Sequence, residues 1–256
     1  MKIGLVSDIH EDIKRLKEAL VVFKKEKCRR VVCLGDFTGF TVPYYGFLQS
    51  RNAYEVIRVL RKNCDVIVVG NHDLFAVRKL PKYKAGFLYP KNWYSLDFRT
   101  RQKLSKNKVY LYENNDLSAL LTKEDKRFIR KLPEYVVKKY GSLKILFSHY
   151  AFPDLVGTKT FEPKIPRDVR EHFGFMKKHG CTLGISGHDH REGMTIFTEK
   201  TMNAVSFNKA VKLTNNPTWL YGPSVGNGTF ANGVLVFDID KMEIKAIPLK
   251  TKKRVL

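Results

Sequence analysis

Acidic, imidazole and amide side chains recur wherever a short apolar run of this chain ends. Asp8 and His10 follow the run at residues 3–7, and Gly35 and Asp36 follow residues 31–34. Gly70, Asn71, His72 and Asp73 follow residues 66–69, and His149 follows residues 143–147 and Ser148. Gly187, His188, Asp189 and His190 follow residues 183–186. Carboxylate oxygen, imidazole nitrogen and amide oxygen are ligand atoms for hard or borderline divalent cations. Asp8 and His10, two apart, are expected in the turn just after their strand, where both can reach one ion. A carboxylate such as Asp36 can bridge two cations and offset their repulsion, and Asn71 offers a neutral oxygen. The glycines before Asp36, Asn71 and His188 are expected to let the backbone turn sharply. Five of the seven histidines occupy these positions. The other two, His172 and His179, fall in a predicted helix and are expected at the surface.

Such residues act together only if a scaffold brings five separate segments to one edge. Residues 3–7 read as a buried strand. Ile13, Leu16, Leu20 and Phe23 then recur at helical spacing with charges between them, which predicts an amphipathic helix lying on a sheet. Strands at 31–34 and 66–69 flank a helix at 54–60. Further on, strands at 143–147 and 183–186 flank a helix at 169–178. Strands alternating with helices imply parallel β-α-β units, and in an open α/β sheet the carboxyl edge of the strands is where ligands bind. After His190 the texture changes. Short strands at 194–197, 204–207, 218–221, 234–237 and 244–247, without long helices between them, suggest a second, largely antiparallel sheet. The expectation is an α/β (α+β) chain with two sheets packed face to face and helices outside.

A length of 256 residues, 43% of them hydrophobic, suffices for one substantial core with an insertion. We expect one domain over 1–256, interrupted at about 75–140 by a basic, aromatic-rich helical insertion. That stretch holds 17 basic and 6 acidic residues, half of the net charge of +22, and 12 of the 31 aromatics. The charge attracts polyanions, whether nucleic acid, nucleotides or anionic surfaces, without choosing among them. None of Cys28, Cys33, Cys64 and Cys181 stands in a C-x-x-C pair, so reduced, buried thiols are expected rather than a disulfide or zinc site. No run of about 18 apolar residues predicts a membrane span. A strand beginning at Lys2 argues against a leader peptide, so the expected location is cytoplasmic.

The ordered set D-x-H (Asp8, His10), G-D (Asp36), G-N-H-D (Asn71, His72), an isolated His149 and G-H-x-H (His188, His190) resembles the signature of the calcineurin-like metallophosphoesterases. Each block alone is weak; the ordered set is specific. The resemblance implies a four-layer αββα sandwich of two mixed sheets flanked by helices. It also implies a dinuclear centre. Asp8, His10, Asp36 and His190 would hold one ion, and Asp36, Asn71, His149 and His188 the other, with Asp36 bridging. The ions would be manganese, iron, zinc, nickel or magnesium, manganese being favoured. His72 would stand beside them as proton donor or phosphate contact. Residues 35–40 and 221–226 are similar to the GDxVGYG block and NPGSVG turn of the small bacterial and archaeal phosphodiesterase branch. Protein phosphatases of the superfamily carry GDxVDRG, whose second Asp orients the catalytic His. Gly39 stands there in this chain, which argues against a protein phosphatase. The orienting partner of His72 is left open, with Asp73 and Asp189 as the candidates.

The expected function is hydrolysis of a phosphodiester or nucleotide-type substrate by a metal-activated hydroxide, with His72 and Asp36 catalytic. Two ions would clamp the phosphate and lower the pKa of a bound water toward about 7. The alternatives are a phosphomonoesterase, a nuclease, or a non-catalytic nucleic-acid-binding protein on the same fold. Expected partners are a phosphorylated small molecule or nucleotide, with nucleic acid as a second class.

Overall fold

The computed structural model describes residues 1–226, 228–253 and 255. In chain order the strands and helices are β1 (Lys2–Val6), α1 (Ile13–Lys25), β2 (Cys28–Cys33), β3 (Phe40–Thr41), α2 (Ala53–Asn63), β4 (Val66–Ile67), α3 (Asn71–Ala76), α4 (Phe98–Ser105), β5 (Asp116–Leu117), α5 (Lys123–Lys131), β6 (Tyr135–Tyr140), β7 (Leu143–Ser148), α6 (Arg170–Lys178), β8 (Leu183–Ser186), β9 (Met194–Thr198), β10 (Met202–Val205), β11 (Ala210–Lys212), β12 (Thr218–Tyr221), β13 (Gly233–Asp238) and β14 (Glu243–Pro248).

Two six-stranded sheets carry the fold. One runs β11-β14-β13-β1-β2-β4, the other β10-β9-β12-β8-β7-β6, and β3 with β5 makes a separate two-stranded ribbon. The strands after His190 do not form a sheet of their own, as their texture suggested. β13 pairs antiparallel with β1, whereas β12 lies parallel to β8 and antiparallel to β9. Each sheet is therefore mixed: a parallel centre (β1-β2-β4, or β7-β8-β12) extended by antiparallel strands from the second half of the chain.

The period of two along a strand sorts its side chains between layers. Ile3, Leu5, Val32, Leu34, Ile145, Phe147, Leu183 and Ile185 face one another in the core between the sheets. Val6 and Cys33, pointing the other way, meet Leu16, Phe23, Val56 and Leu60 of α1 and α2. On the opposite outer face Leu146, Phe197 and Trp219 meet Phe173 and Met176 of α6. The layers are thus helix, sheet, sheet, helix. Gly4 shows how close the packing is, because a Cβ there would lie 2.5 Å from the Phe23 ring.

α6 also corrects one expectation. His172 is fully buried, its Nδ1 accepting from the Phe152 N–H at 2.9 Å, and its ring lies 5.2 Å from that of Trp219. It belongs to the stripe containing Phe173 and Met176. His179, at the end of α6, is half-buried against Phe175 and Tyr135 rather than exposed.

Residues 75–140 hold α4 and α5, as their helical character suggested, but also β5 and the sheet-edge strand β6. A hydrophobic cluster of Phe87, Trp93 and Val109 gives this stretch a small core of its own. Cys33 and Cys181 are buried, Cys28 and Cys64 are half-buried, and all four are free thiols. Among the described residues no helix is long and apolar enough to cross a membrane.

Candidate metal centre

Each strand end predicted to carry chemistry arrives at one place. Asp8 and His10 lie in the loop after β1, Asp36 after β2, Asn71 and His72 at the start of α3 after β4, His149 after β7, and His188 and His190 after β8. Three of these loops come from the first sheet and two from the second, so the site straddles the carboxyl edges of both. Possible ligand atoms of Asp8, His10 and His190, of His10, Asp36 and His72, and of Asp36, His149 and His188 fall within 4.8 Å of one another in each trio.

The backbone is bent hard to achieve this. Asp8, His10, Glu11, Asp36, His188 and His190 all have positive φ, from 47° to 77°. L-residues avoid this region, and such strain gathers where a site over-determines the chain. Gly35 turns as expected, with φ 100°. Gly70 and Gly187 serve a different need. They have no positive φ, but a Cβ would lie 2.2 Å from Asp36 Oδ1 at Gly70 and 1.8 Å from Ser7 Oγ at Gly187.

Backbone carbonyls set the imidazole tautomers. His10 Nδ1–H donates to the Gly39 carbonyl at 2.7 Å, and His149 Nδ1–H donates to the Leu34 carbonyl at 2.8 Å. A carbonyl can only accept, so in each neutral ring Nε2 holds the lone pair and faces the centre. His10 Nε2 is then 3.2 Å from His190 Nε2, and His149 Nε2 is 3.2 Å from Asp36 Oδ2 and 3.3 Å from His188 Nδ1. Asp8 Oδ1 is buried without a hydrogen bond, 3.2 Å from His190 Nε2 and 3.7 Å from His149 Nε2. One terminal atom of the Asn71 amide lies 3.1 Å from Asp36 Oδ2, 3.2 Å from His149 Nε2 and 3.3 Å from His188 Nδ1. With its oxygen there, the amide adds a further lone pair to those of His10 Nε2, His149 Nε2 and the Asp8 and Asp36 carboxylates.

A buried cluster of that kind must be relieved by protons or by cations. Protons alone perturb the groups strongly. Burial and the neighbouring His72 and His190 push His10 down to about 3, and burial with His149 pushes His188 down to about 3. His149 goes the other way, to about 10, because Asp36 and Asp8 outweigh its burial. Burial opposes the ionised form of Asp8 and Asp36, yet the surrounding imidazoles hold both carboxyls below their usual range. Divalent cations would satisfy every one of these atoms at once, and the mixed oxygen and nitrogen donor set suits them.

His72 is held from outside the cluster. Its N–H donates to Asp36 Oδ1 at 2.9 Å, and its Nδ1 lies 2.6 Å from Asp116 Oδ2. Burial would lower its pKa, but Asp116 and Asp36 raise it to about 9. Asp116 is fixed in turn by Thr41, whose hydroxyl donates to Oδ1 at 2.6 Å, and by the β3–β5 ribbon, where Thr41 is directly opposite Asp116. Neither expected candidate, Asp73 or Asp189, orients His72. The Asp73 carboxylate accepts from the N–H groups of Asp36, Thr38 and Gly70 and so ties two site loops together. Asp189 accepts from the Tyr150 hydroxyl at 3.3 Å. Tyr112 is a second unforeseen partner, its hydroxyl 2.9 Å from the Asn71 amide. Both come from residues 75–140, where a short run at 109–112 is followed by Glu and Asn with no glycine before Asp116.

With fold and site in view, the chain belongs to the calcineurin-like phosphoesterase family, whose pattern matches residues 1–192. That family consists of metal-dependent phosphoric ester hydrolases. A structure of a metallophosphoesterase from Sphaerobacter thermophilus shares the fold with a TM-score of 0.66 at 15% identity, over 98% of this chain and 90% of that one. The hypothetical protein PH1004 from Pyrococcus horikoshii gives 0.61 at 16% identity, over 98% and 89%. The uncharacterized protein MJ0912 of Methanocaldococcus jannaschii is 26% identical over 165 residues. That match takes in 60% of this chain and spans little more than half, 55%, of the relative.

Proposed function

We propose that the chain hydrolyses a phosphodiester at a dinuclear centre. Asp8, His10, Asp36 and His190 would hold one cation, and Asp36, Asn71, His149 and His188 the other, with manganese as first choice. The observation that carries this reading is the convergence of seven donors from both sheets on one buried, lone-pair-rich cluster, with Asp8 Oδ1 lacking a hydrogen bond. When bound, the cations supply Lewis acidity that acidifies a water and draws charge from the phosphate oxygens.

The chain's own residues do the rest. The carbonyls of Gly39 and Leu34 hold His10 and His149 in the tautomer that presents Nε2 to the centre. The His72 N–H fixes one oxygen of Asp36 and leaves the other for bridging. The His72 imidazolium, stabilised by Asp116, lies at the wall of the open cleft and can give its proton to the departing oxygen as the phosphorus–oxygen bond breaks. Asp36 and His72 are therefore the catalytic pair of the proposal, and no residue need be phosphorylated. A cytoplasmic location accords with the free thiols.

The test is hydrolysis of bis-p-nitrophenyl phosphate and p-nitrophenyl phosphate with manganese and with EDTA, alongside metal analysis of the purified protein. Metal-dependent cleavage favouring the diester is expected. Preference for the monoester would replace the diester reading, and absence of both metal and cleavage would end the enzymatic one.

A further inference from the structure

The cleft that opens onto the metal centre has a composition unlike the rest of the molecule. It has a volume of about 420 Å³, within the range of sites that enclose a nucleotide-sized ligand. Asp36, His72, His188 and His190 lie in its wall. Three aromatic side chains from three separate segments line it while remaining open to water: Tyr44 is 48% exposed, Tyr110 46% and Phe230 40%. Exposed rings gathered beside a site are candidates for stacking against a planar ligand.

The charges point the same way. The chain carries +22, yet among the described residues lining this cleft none is Lys or Arg, whereas Asp116 and Asp189 are present. A neighbouring cleft shares His72 and Asp116 and does contain Arg78, Arg101 and Lys126. There Arg78 donates to the Tyr94 carbonyl and Arg101 pairs with Glu113, so both are already engaged. Apart from the His72 imidazolium, which Asp116 already balances, phosphate charge beyond what the metal centre takes up would meet neutral or acidic walls in the main cleft. Long polyanions need a line of Lys and Arg along their backbone, and this cleft lacks one.

We propose that the cleft is a nucleoside site: Tyr44, Tyr110 and Phe230 receive the base of a phosphodiester that carries a single phosphate, not a polyphosphate chain or a polynucleotide. As a substrate class for that same centre, it rests on the phosphoesterase reading.

The experiment is isothermal titration of the manganese-loaded full chain with inorganic phosphate, adenosine 5′-monophosphate and adenosine 5′-diphosphate. One base stacked on aromatic side chains should tighten binding by about tenfold. The monophosphate should therefore bind about tenfold tighter than phosphate, with the diphosphate no tighter than the monophosphate. Tyr110→Ala and, separately, Phe230→Ala should remove most of that gain while phosphate binding stays within about twofold of the unsubstituted chain. Equal affinity for phosphate and the monophosphate, equal losses for both ligands in the variants, or much tighter binding of the diphosphate would each overturn the proposal. Cleavage of bis-p-nitrophenyl phosphate, measured in parallel, reports on the phosphoesterase reading alone. Cleavage without a nucleoside preference sinks only the nucleoside site. Nucleoside-selective binding without cleavage sinks only the catalytic reading.

Discussion

His72 Nδ1 and Asp116 Oδ2 lie 2.6 Å apart although 44 residues separate them in the chain. His72 opens α3 at a strand end of the first sheet, and Asp116 arrives on β5 through its ribbon with β3. Gly39 explains why the partner comes from so far away. It has φ 87°, and a Cβ there would stand 2.5 Å from His72 Nδ1, so a carboxylate side chain cannot be accommodated at that position. In this chain the carboxylate beside His72 comes instead from residues 75–140.

Removing that carboxylate should lower turnover without emptying the centre. Partners of this kind typically contribute about 10- to 100-fold in activity, and Asp116→Asn should lose roughly that in kcat with unchanged metal content. The pH profile adds a sign. Asp116 favours the protonated form of His72, which is lost as pH rises through its pKa, so without that carboxylate the alkaline limb should move to lower pH. A profile that keeps its alkaline limb would separate Asp116 from proton delivery.

His72 itself should be dispensable for metal but not for rate. General-acid catalysis contributes about 10²–10⁴-fold, so His72→Ala should retain its metal by elemental analysis while kcat falls by roughly that factor. An undiminished kcat would remove His72 from the mechanism.

Asp36 should behave oppositely. Its Oδ2 faces His149, and its Oδ1 accepts from the His72 N–H. Asp36→Asn is expected to lose metal and activity together. Full occupancy in this variant, measured by plasma emission, would refute the bridging role.

His172 predicts an acid weakness unrelated to the centre. Burial pushes its pKa down to about 3, whereas the unfolded value is about 6.5. The unfolded chain therefore binds the extra proton first. The stability from a neutral His172 is complete above about pH 6.5 and is lost, at about 1.4 kcal/mol per unit, as pH falls from there toward about 3. His172→Asn keeps an acceptor for the Phe152 N–H but does not titrate. Between pH 7 and 5, denaturant unfolding of the native chain should lose about 2 kcal/mol more than the variant does. Parallel losses would show that His172 is not the titrating group.

The donors of the centre were legible because a strand's carboxyl end is a local event: an apolar run stops, a glycine often follows, and Asp, Asn or His comes next. Layering was legible for a related reason, since alternation along β1, β2, β7 and β8 assigns each side chain to a face before the partner layer is known. His172 could have been read correctly, as it stands four residues before Met176 on the buried stripe of α6. Other features depend on contacts that no local pattern encodes. Strands β12 and β13 have similar apolar sequences, and only their pairing with β8 or β1 decides which sheet each joins. Five of the six site residues with left-handed backbone are Asp or His, types that tolerate it, but only the surrounding tertiary contacts impose that conformation at these positions. Asp116 reaches the centre on a two-residue strand too short to show a period, and Tyr112 reaches it from the loop before that strand. Residue type and local spacing determined which atoms could bind metal. Only the closure of long loops onto both sheet edges decided which carboxylate holds His72 and which rings line the cleft.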